Sequence, residues 1–245
     1  MPSYYLPQIE AEQPQYIITG EEFHHLSQVL RKKQGDTILV TSGSGILAEC
    51  LIISIQRKEL VIEIVNKQRL SRSKPQMALG FALLKNKHDN LIIEKATELG
   101  CGVFYPLETV RTVRRNSANQ QQKFIKTGIA AMKQCDNAWL PEIKECHNLK
   151  DIPSLMREDG FIPVVALETE RQRSLPEIIA TYPDQPLGII IGPEGGFARE
   201  EIDFFNREEV MSFSLGNHIL RAETAAISSI AQLAGINFNL NRNYY

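Results

Sequence analysis

The chain has 245 residues and four cysteines, but no C-x-x-C pair. Zinc sites bring their ligands in close pairs, so no metal is expected. Cys50, Cys101, Cys135 and Cys146 are scattered, and thiols without the density of a disulfide scaffold fit a reducing cytoplasm. Long apolar runs are missing too. None approaches the roughly 20 residues that cross a bilayer, so no membrane partner is expected. The N-terminal MPSYYLPQIEAEQ lacks a basic segment followed by an apolar one, and no secretory signal is expected. Nor is there a global excess of basic charge. The formal net charge is −2, which speaks against a surface coated with cations for nonspecific nucleic-acid binding. G-x-x-x-x-G-K-[ST], G-x-G-x-x-G after a strand, and G-x-S-x-G are all absent, which sets aside P-loop, dinucleotide and α/β-hydrolase readings.

What is present is an ordinary core-forming composition, 43% hydrophobic and 23% charged. Basic residues fall in three groups: Arg31, Lys32 and Lys33; Lys67, Arg69, Arg72 and Lys74; Arg111, Arg114 and Arg115. Such groups are candidates for a phosphate-facing surface. Residues 36–42, 46–55 and 60–65 are short, β-branched segments separated by polar or glycine-bearing breaks, and predict a small antiparallel barrel or sandwich. Phe23, Leu26, Val29 and Leu30 recur at helical spacing between Thr19 and Lys33.

The polar stretch Ser71–Gln76 places a boundary between a domain of residues 1–72 and one of residues 73–245. Beyond it strands and helices alternate. Strands are expected at 77–84, 102–106, 163–167, 187–191 and 211–215. Helices are expected up to Gly100, over 119–133, and from Glu223 to Ala234 with Gly235 as the stop. That order predicts an α/β domain with a mostly parallel sheet.

Two turns stand out. "IIIGPEGGFAREE" (Ile189–Glu201) and "SLGNHILRAETAA" (Ser214–Ala226) each run from an apolar segment through a glycine-bearing turn into a helix. In open parallel sheets, ligands sit beyond the carboxyl ends of the strands, where both turns lie. Glycine at 192, 195 and 196 lets backbone approach a ligand closely. Glu223 and Thr224 suit the first turn of a helix, but Arg221 does not, because a cation opposes the helix dipole there. Two roles stay open for it: an ion pair with Glu223 or Glu194, or an anionic ligand.

These paired motifs resemble the signature of the RsmE family, the 16S ribosomal RNA uridine-N3 methyltransferases of the SPOUT superfamily. "HHLSQVLRKKQGD" (His24–Asp36) and "EKATELGCGVFYPLET" (Glu94–Thr109) are similar to two further family motifs, so the resemblance spans nearly the whole chain. It implies an α/β fold in which a SPOUT-type trefoil-knotted methyltransferase domain is preceded by a small PUA-like β-barrel. It also implies S-adenosyl-L-methionine as cofactor, N3 of a specific uridine in the 16S rRNA of the small ribosomal subunit as target, a cytoplasmic location, and a homodimer. The cofactor set it implies is Leu167, Glu168, Gly192, Pro193, Gly195, Gly196, Leu215, Gly216, Ile219, Leu220 and Thr224.

The chemistry narrows the remaining roles. Uridine N3 carries a weakly acidic imide proton, so an anion-stabilising group and a proton acceptor are wanted. Arg221 and Glu194 are the catalytic candidates. Contacts to RNA are expected from His24, His25, Arg31, Lys32, Lys33, Arg69 and Arg72. The chain departs from the family pattern at Lys133 and Asn137, where glutamate and arginine are common, and at His218, where arginine is common. Two other readings remain open: ribose 2′-O-methylation on the same fold, and a non-catalytic rRNA-binding assembly factor.

Overall fold

In the computed structural model, which describes residues 3–74, 76–85 and 88–241, the chain divides into two units. One joins Met1–Arg72 to Ile129–Leu140; the other joins Ser73–Gly128 to Pro141–Tyr245. Pro75 of the linker lies outside the described residues. Residues 129–140, assigned by sequence to the second domain, group with the first unit instead. Backbone bonds hold them there, from Ser3 N–H to Lys133 O (3.1 Å), Gly45 N–H to Ala138 O (2.9 Å) and Leu140 N–H to Gly43 O (2.8 Å). Periodicity carries no sign of such partners.

The first unit is a five-stranded sheet in the order β1-β3-β4-β5-β2. Its strands are β1 (Tyr4–Tyr5), β2 (Tyr16–Ile18), β3 (Thr37–Thr41), β4 (Ile46–Ile55) and β5 (Leu60–Arg69). All neighbours pair antiparallel except β1 and β3. Alternation in β4 buries Ile46, Ala48, Cys50 and Ile52 on one face. The expected helical stretch is present but divided: α1 (Gly20–His24) passes into a π-helical turn over His25–Val29.

The second unit is a parallel sheet ordered β12-β10-β11-β6-β7-β8, with β9 also on β7. The strands are β6 (Met77–Ala82), β7 (Val103–Glu108), β8 (Glu142–Ile143), β9 (His147–Asn148), β10 (Ile162–Ala166), β11 (Leu187–Ile191) and β12 (Met211–Phe213). β6 and β11 are buried throughout, which is why they read as unbroken apolar runs. Successive residues of β6 and β11 feed opposite layers. Leu79, Phe81, Ile189 and Ile191 pack with α2 (His88–Glu98), α5 (Leu175–Thr181) and α7 (Ala222–Asn241). Ala78, Ala82 and Ile190 pack with α4 (Ile152–Glu158) and α6 (Arg199–Arg207). The remaining helix, α3, spans Gln120–Gln134.

Three sequence expectations change. Gly235 does not stop α7, because Ala234 and Ile236 on either side pack against the core, outweighing a glycine cost of about 1 kcal/mol. β12 ends at Phe213, so Leu215 belongs to the following loop. Helices α4 and α5 were not foreseen, although Ser174 and Glu177 form a capping box at the start of α5, whereas the helix expected after the first glycine turn is α6. Among the described residues, no helix is long and apolar enough to cross a membrane, and no group of three or more His, Cys, Asp or Glu side chains could hold a metal ion.

A buried ion pair stiffens this unit. Asp89 in α2 is fully buried and bonds to Arg114, which also donates to Gln120 and to Leu84 O. Removing one partner of a buried pair strands the other. Arg114→Ala is expected to destabilise the protein by about 3–5 kcal/mol in urea unfolding. The double variant Arg114→Ala/Asp89→Ala should recover part of that loss, and equal losses in the single and double variants would contradict the account.

Candidate active site

The loops that follow β10, β11 and β12 enclose a cavity of about 610 Å³ at the carboxyl edge of the parallel sheet. That size lies within the range of about 300–1,000 Å³ usual for small-molecule sites. From the β11 side come Gly192 to Phe197. Gly196 adopts φ +66°, its N–H bonding to Pro193 O at 2.9 Å, and a Cβ there would meet nothing within 4 Å. From the β12 side come Ser214 to Arg221, with Gly216 at φ +123° and likewise open above its Cα. Two left-handed glycines facing open space leave bare backbone for a ligand to approach. Ala166 to Thr169, at the end of β10, form the third wall.

That third wall is anchored by Glu170. Its carboxylate accepts from Ser212 Oγ at 2.5 Å and from the backbone N–H groups of Gln172 (2.8 Å) and Arg171 (2.9 Å). The Ser212 hydroxyl, then these amides, hold the Glu170 carboxyl below its usual range. With the folded pKa depressed, this contribution to stability is whole above the unfolded value and is lost as pH falls through the folded one.

The glycine loop is tied on two sides. Glu194 Oε1 accepts the Lys85 N–H at 3.1 Å, after β6. Arg111, after β7, donates to Gly195 O at 2.8 Å. Glu201, buried in the first turn of α6, accepts from Ala198 N–H at 2.8 Å through one oxygen and from Val110 N–H at 2.9 Å through the other. One carboxylate thus joins the loops after β7 and β11.

Of the sequence-predicted cofactor residues, Leu167, Glu168, Gly192, Pro193, Gly195, Gly196, Leu215, Gly216, Ile219 and Leu220 all line this one cavity. Thr224 is not among the lining residues and is exposed. Ala222, Glu223 and Ala225 take the cavity side of α7, and Thr224 is rotated to solvent. Both catalytic candidates, Glu194 and Arg221, lie in the lining and are exposed. His218 is there as well. Sequence reasoning missed His88, Arg111 and Phe197 as lining residues. Arg111 carried a signal in its basic cluster, whereas His88 carried none. His88 Nδ1 lies 3.2 Å from Glu223 Oε1.

The residues named for RNA contact all belong to the first unit, but they are not one cluster. Arg31 (φ +52°), Lys32 and Lys33 lie in the turn that bonds, through Gly35 N–H, to Ile52. Arg69 pairs with Ile46, six residues back along β4, or about 20 Å away. Some have partners of their own. Lys32 Nζ donates to Thr37 O at 3.1 Å, and the Arg72 guanidinium sits 4.6 Å from the Trp139 ring centroid. His24 is exposed, and the His25 ring lies 5.9 Å from that of Tyr4. The departures from the family pattern are built in: Lys133 pairs with Glu22 at 2.5 Å, and Asn137 Oδ1 accepts the Trp139 N–H at 3.0 Å.

A family model described as "RNA methyltransferase domain" matches residues 71–234, and one described as "RNA methyltransferase PUA domain" matches residues 18–65. Ribosomal RNA small subunit methyltransferase E of Bacillus subtilis is 30% identical over 238 residues, 93% of this chain and 92% of that protein. The chain belongs to the ribosomal RNA small subunit methyltransferase E family. The Rickettsia conorii member is also 30% identical, over 89% of this chain and 88% of its own. The crystal structure of the Neisseria gonorrhoeae member bound to S-adenosyl methionine shares the fold, with a TM-score of 0.86 over 96% of this chain and 98% of that one at 21% identity. The fold is accordingly that of an α/β RNA methyltransferase domain with a parallel sheet, preceded in the chain by a PUA-like curled half-barrel.

The role of Glu201 in this family member is open to direct measurement. Glu201→Ala leaves two backbone N–H groups without their acceptor and should cost about 2–4 kcal/mol. Amide exchange should rise at Val110 and Ala198 while the β11 amides stay protected. Unchanged exchange at Val110 would show that the carboxylate does not hold the two loops together.

Proposed function

We propose that this chain transfers a methyl group from S-adenosyl-L-methionine to N3 of a specific uridine in the 16S rRNA of the small ribosomal subunit, working in the cytoplasm as a homodimer. The observation that carries this reading is the cavity itself. Two glycine-bearing loops bring bare backbone and the apolar side chains of Leu167, Leu215 and Leu220 to one cavity, and an exposed arginine stands in its lining. Those residues suit a nucleoside-bearing cofactor, whose edges take backbone hydrogen bonds and whose ring takes apolar walls. When bound, S-adenosyl-L-methionine supplies a methyl group on a sulfonium, which leaves as a neutral thioether and needs no general acid.

The chain's own residues do the rest. Positioning dominates a methyl transfer, and the anchored loops provide it. Arg221 meets the negative charge that develops on the uracil ring as the N3 proton leaves, or holds a neighbouring phosphate. Glu194 has one oxygen on the Lys85 N–H; the other remains for the N3 proton or for orienting the cofactor. His24, His25, Arg31, Lys32, Lys33, Arg69 and Arg72 bring RNA to the first unit from two ends of its sheet. Binding through them should weaken steeply with salt.

The test is incubation with radiolabelled S-adenosyl-L-methionine and small subunits that lack the modification, followed by digestion to nucleosides. Label is expected in 3-methyluridine. Arg221→Ala should lower turnover by about 10²–10³-fold while cofactor binding stays within twofold of wild type. Label in a ribose-methylated nucleoside would replace the N3 chemistry with 2′-O-methylation. Failure to bind the cofactor at all would leave an rRNA-binding assembly factor as the reading.

A further inference from the structure

An arginine that must meet an anion works best when no carboxylate of its own protein has already claimed it. Three carboxylates line the cavity with Arg221, namely Glu168, Glu194 and Glu223. Among the described residues, none forms an ion pair with its guanidinium. The two that sequence reasoning placed within reach are held elsewhere. Glu194 is bonded through Oε1 to the Lys85 N–H. Glu223, two residues beyond Arg221 in the first turn of α7, has Oε1 3.2 Å from Nδ1 of His88 at the start of α2. The Glu223 side chain is only 11% exposed, whereas that of His88 is 40% exposed. The carboxylate is thus largely withdrawn from solvent with the imidazole beside it.

We propose that His88 is a positioning residue: by holding Glu223 it keeps Arg221 unpaired and available to an anionic group of the RNA. The proposal rests on Arg221 receiving an anion in the reaction above. Arg221 is the last residue before α7, and its carbonyl accepts the Ala225 N–H at 2.8 Å, so its backbone is held while its side chain is exposed. Glu223 shares that first turn and that cavity. Once released from His88, its carboxylate becomes the nearest unsatisfied anion in sequence to the guanidinium. A pair formed between them would have to break before an RNA phosphate or a uracil oxyanion could bind. His88 thus acts through Glu223 and need not touch substrate.

The experiment compares wild type with His88→Ala, His88→Gln, His88→Ala/Glu223→Gln and Arg221→Ala. It measures affinity for small ribosomal subunits lacking the modification, and the NMR signal and solvent exchange of the Arg221 Nε–H in the free protein. His88→Ala is expected to weaken subunit binding about tenfold and to slow exchange at the Arg221 Nε–H, as Glu223 swings onto it. His88→Gln, whose amide can still donate to Glu223, should bind like wild type. The double variant should recover to within about threefold, because a neutral residue 223 cannot sequester the arginine. Wild-type binding by His88→Ala, or a double variant as weak as His88→Ala, overturns the positioning role. Arg221→Ala separates the two ideas: if it binds and turns over like wild type, the reading of Arg221 itself fails, whatever His88 does. If His88→Ala does not fold, the binding of His88→Gln and the double variant decides the matter.

Discussion

In a sheet whose strands all run the same way, every strand releases the chain at the same edge. The parallel register of β10, β11 and β6 therefore sends the loops after Ala166, Ile191 and Ala82 to one side, joined there by the loops after β7 and β12. Crowding at that edge is a consequence of hydrogen-bond direction alone. Without it, the two glycine turns would be ordinary connections between a strand and a helix. With it, they face one another across a cavity.

Crowded loops still need to be held, and the structure uses carboxylates for that work. Glu201, Glu194 and Glu170 each accept backbone N–H groups from a loop that lines the cavity or from the segment beside it. A carboxylate suits the task because its two oxygens can serve two separate segments at once, as Glu201 does for Val110 and Ala198. Of these carboxylates only Glu194 shares the cavity lining with the exposed Arg221, and one of its oxygens is already taken by the Lys85 N–H.

Much of this was legible in sequence, but unevenly. β4, β5, β6, β7, β10 and β11 could be read because burial on one or both faces leaves a periodic or unbroken apolar pattern. Ten of the eleven cofactor candidates line the cavity because a motif of contiguous residues stays contiguous in space. Thr224 lies outside the lining for the complementary reason: neighbours on a helix point in different directions, and its phase relative to the cavity depends on how α7 docks. His88 and Arg111 lie far from the two motifs in the chain; Arg111 is marked only by its basic cluster, and nothing in the neighbourhood of His88 marks it as a lining residue.

The sequence by itself determined the α/β alternation, the parallel character of the sheet, the position of the two glycine turns and the resemblance that named their use. Each of these depends on local pattern, since strand burial, glycine conformation and helix phase are properties of a few neighbouring residues. The tertiary structure alone decided that residues 129–140 group with the first unit, that Arg31, Lys32 and Lys33 lie toward one end of the β4 strand and Arg69 toward the other, and that His88 rather than Arg221 lies beside Glu223. Those outcomes turn on hydrogen bonds and ion pairs between segments up to 135 residues apart, His88 and Glu223 among them. Such pairings leave no periodic trace in the chain, because their energy exists only once the segments have met.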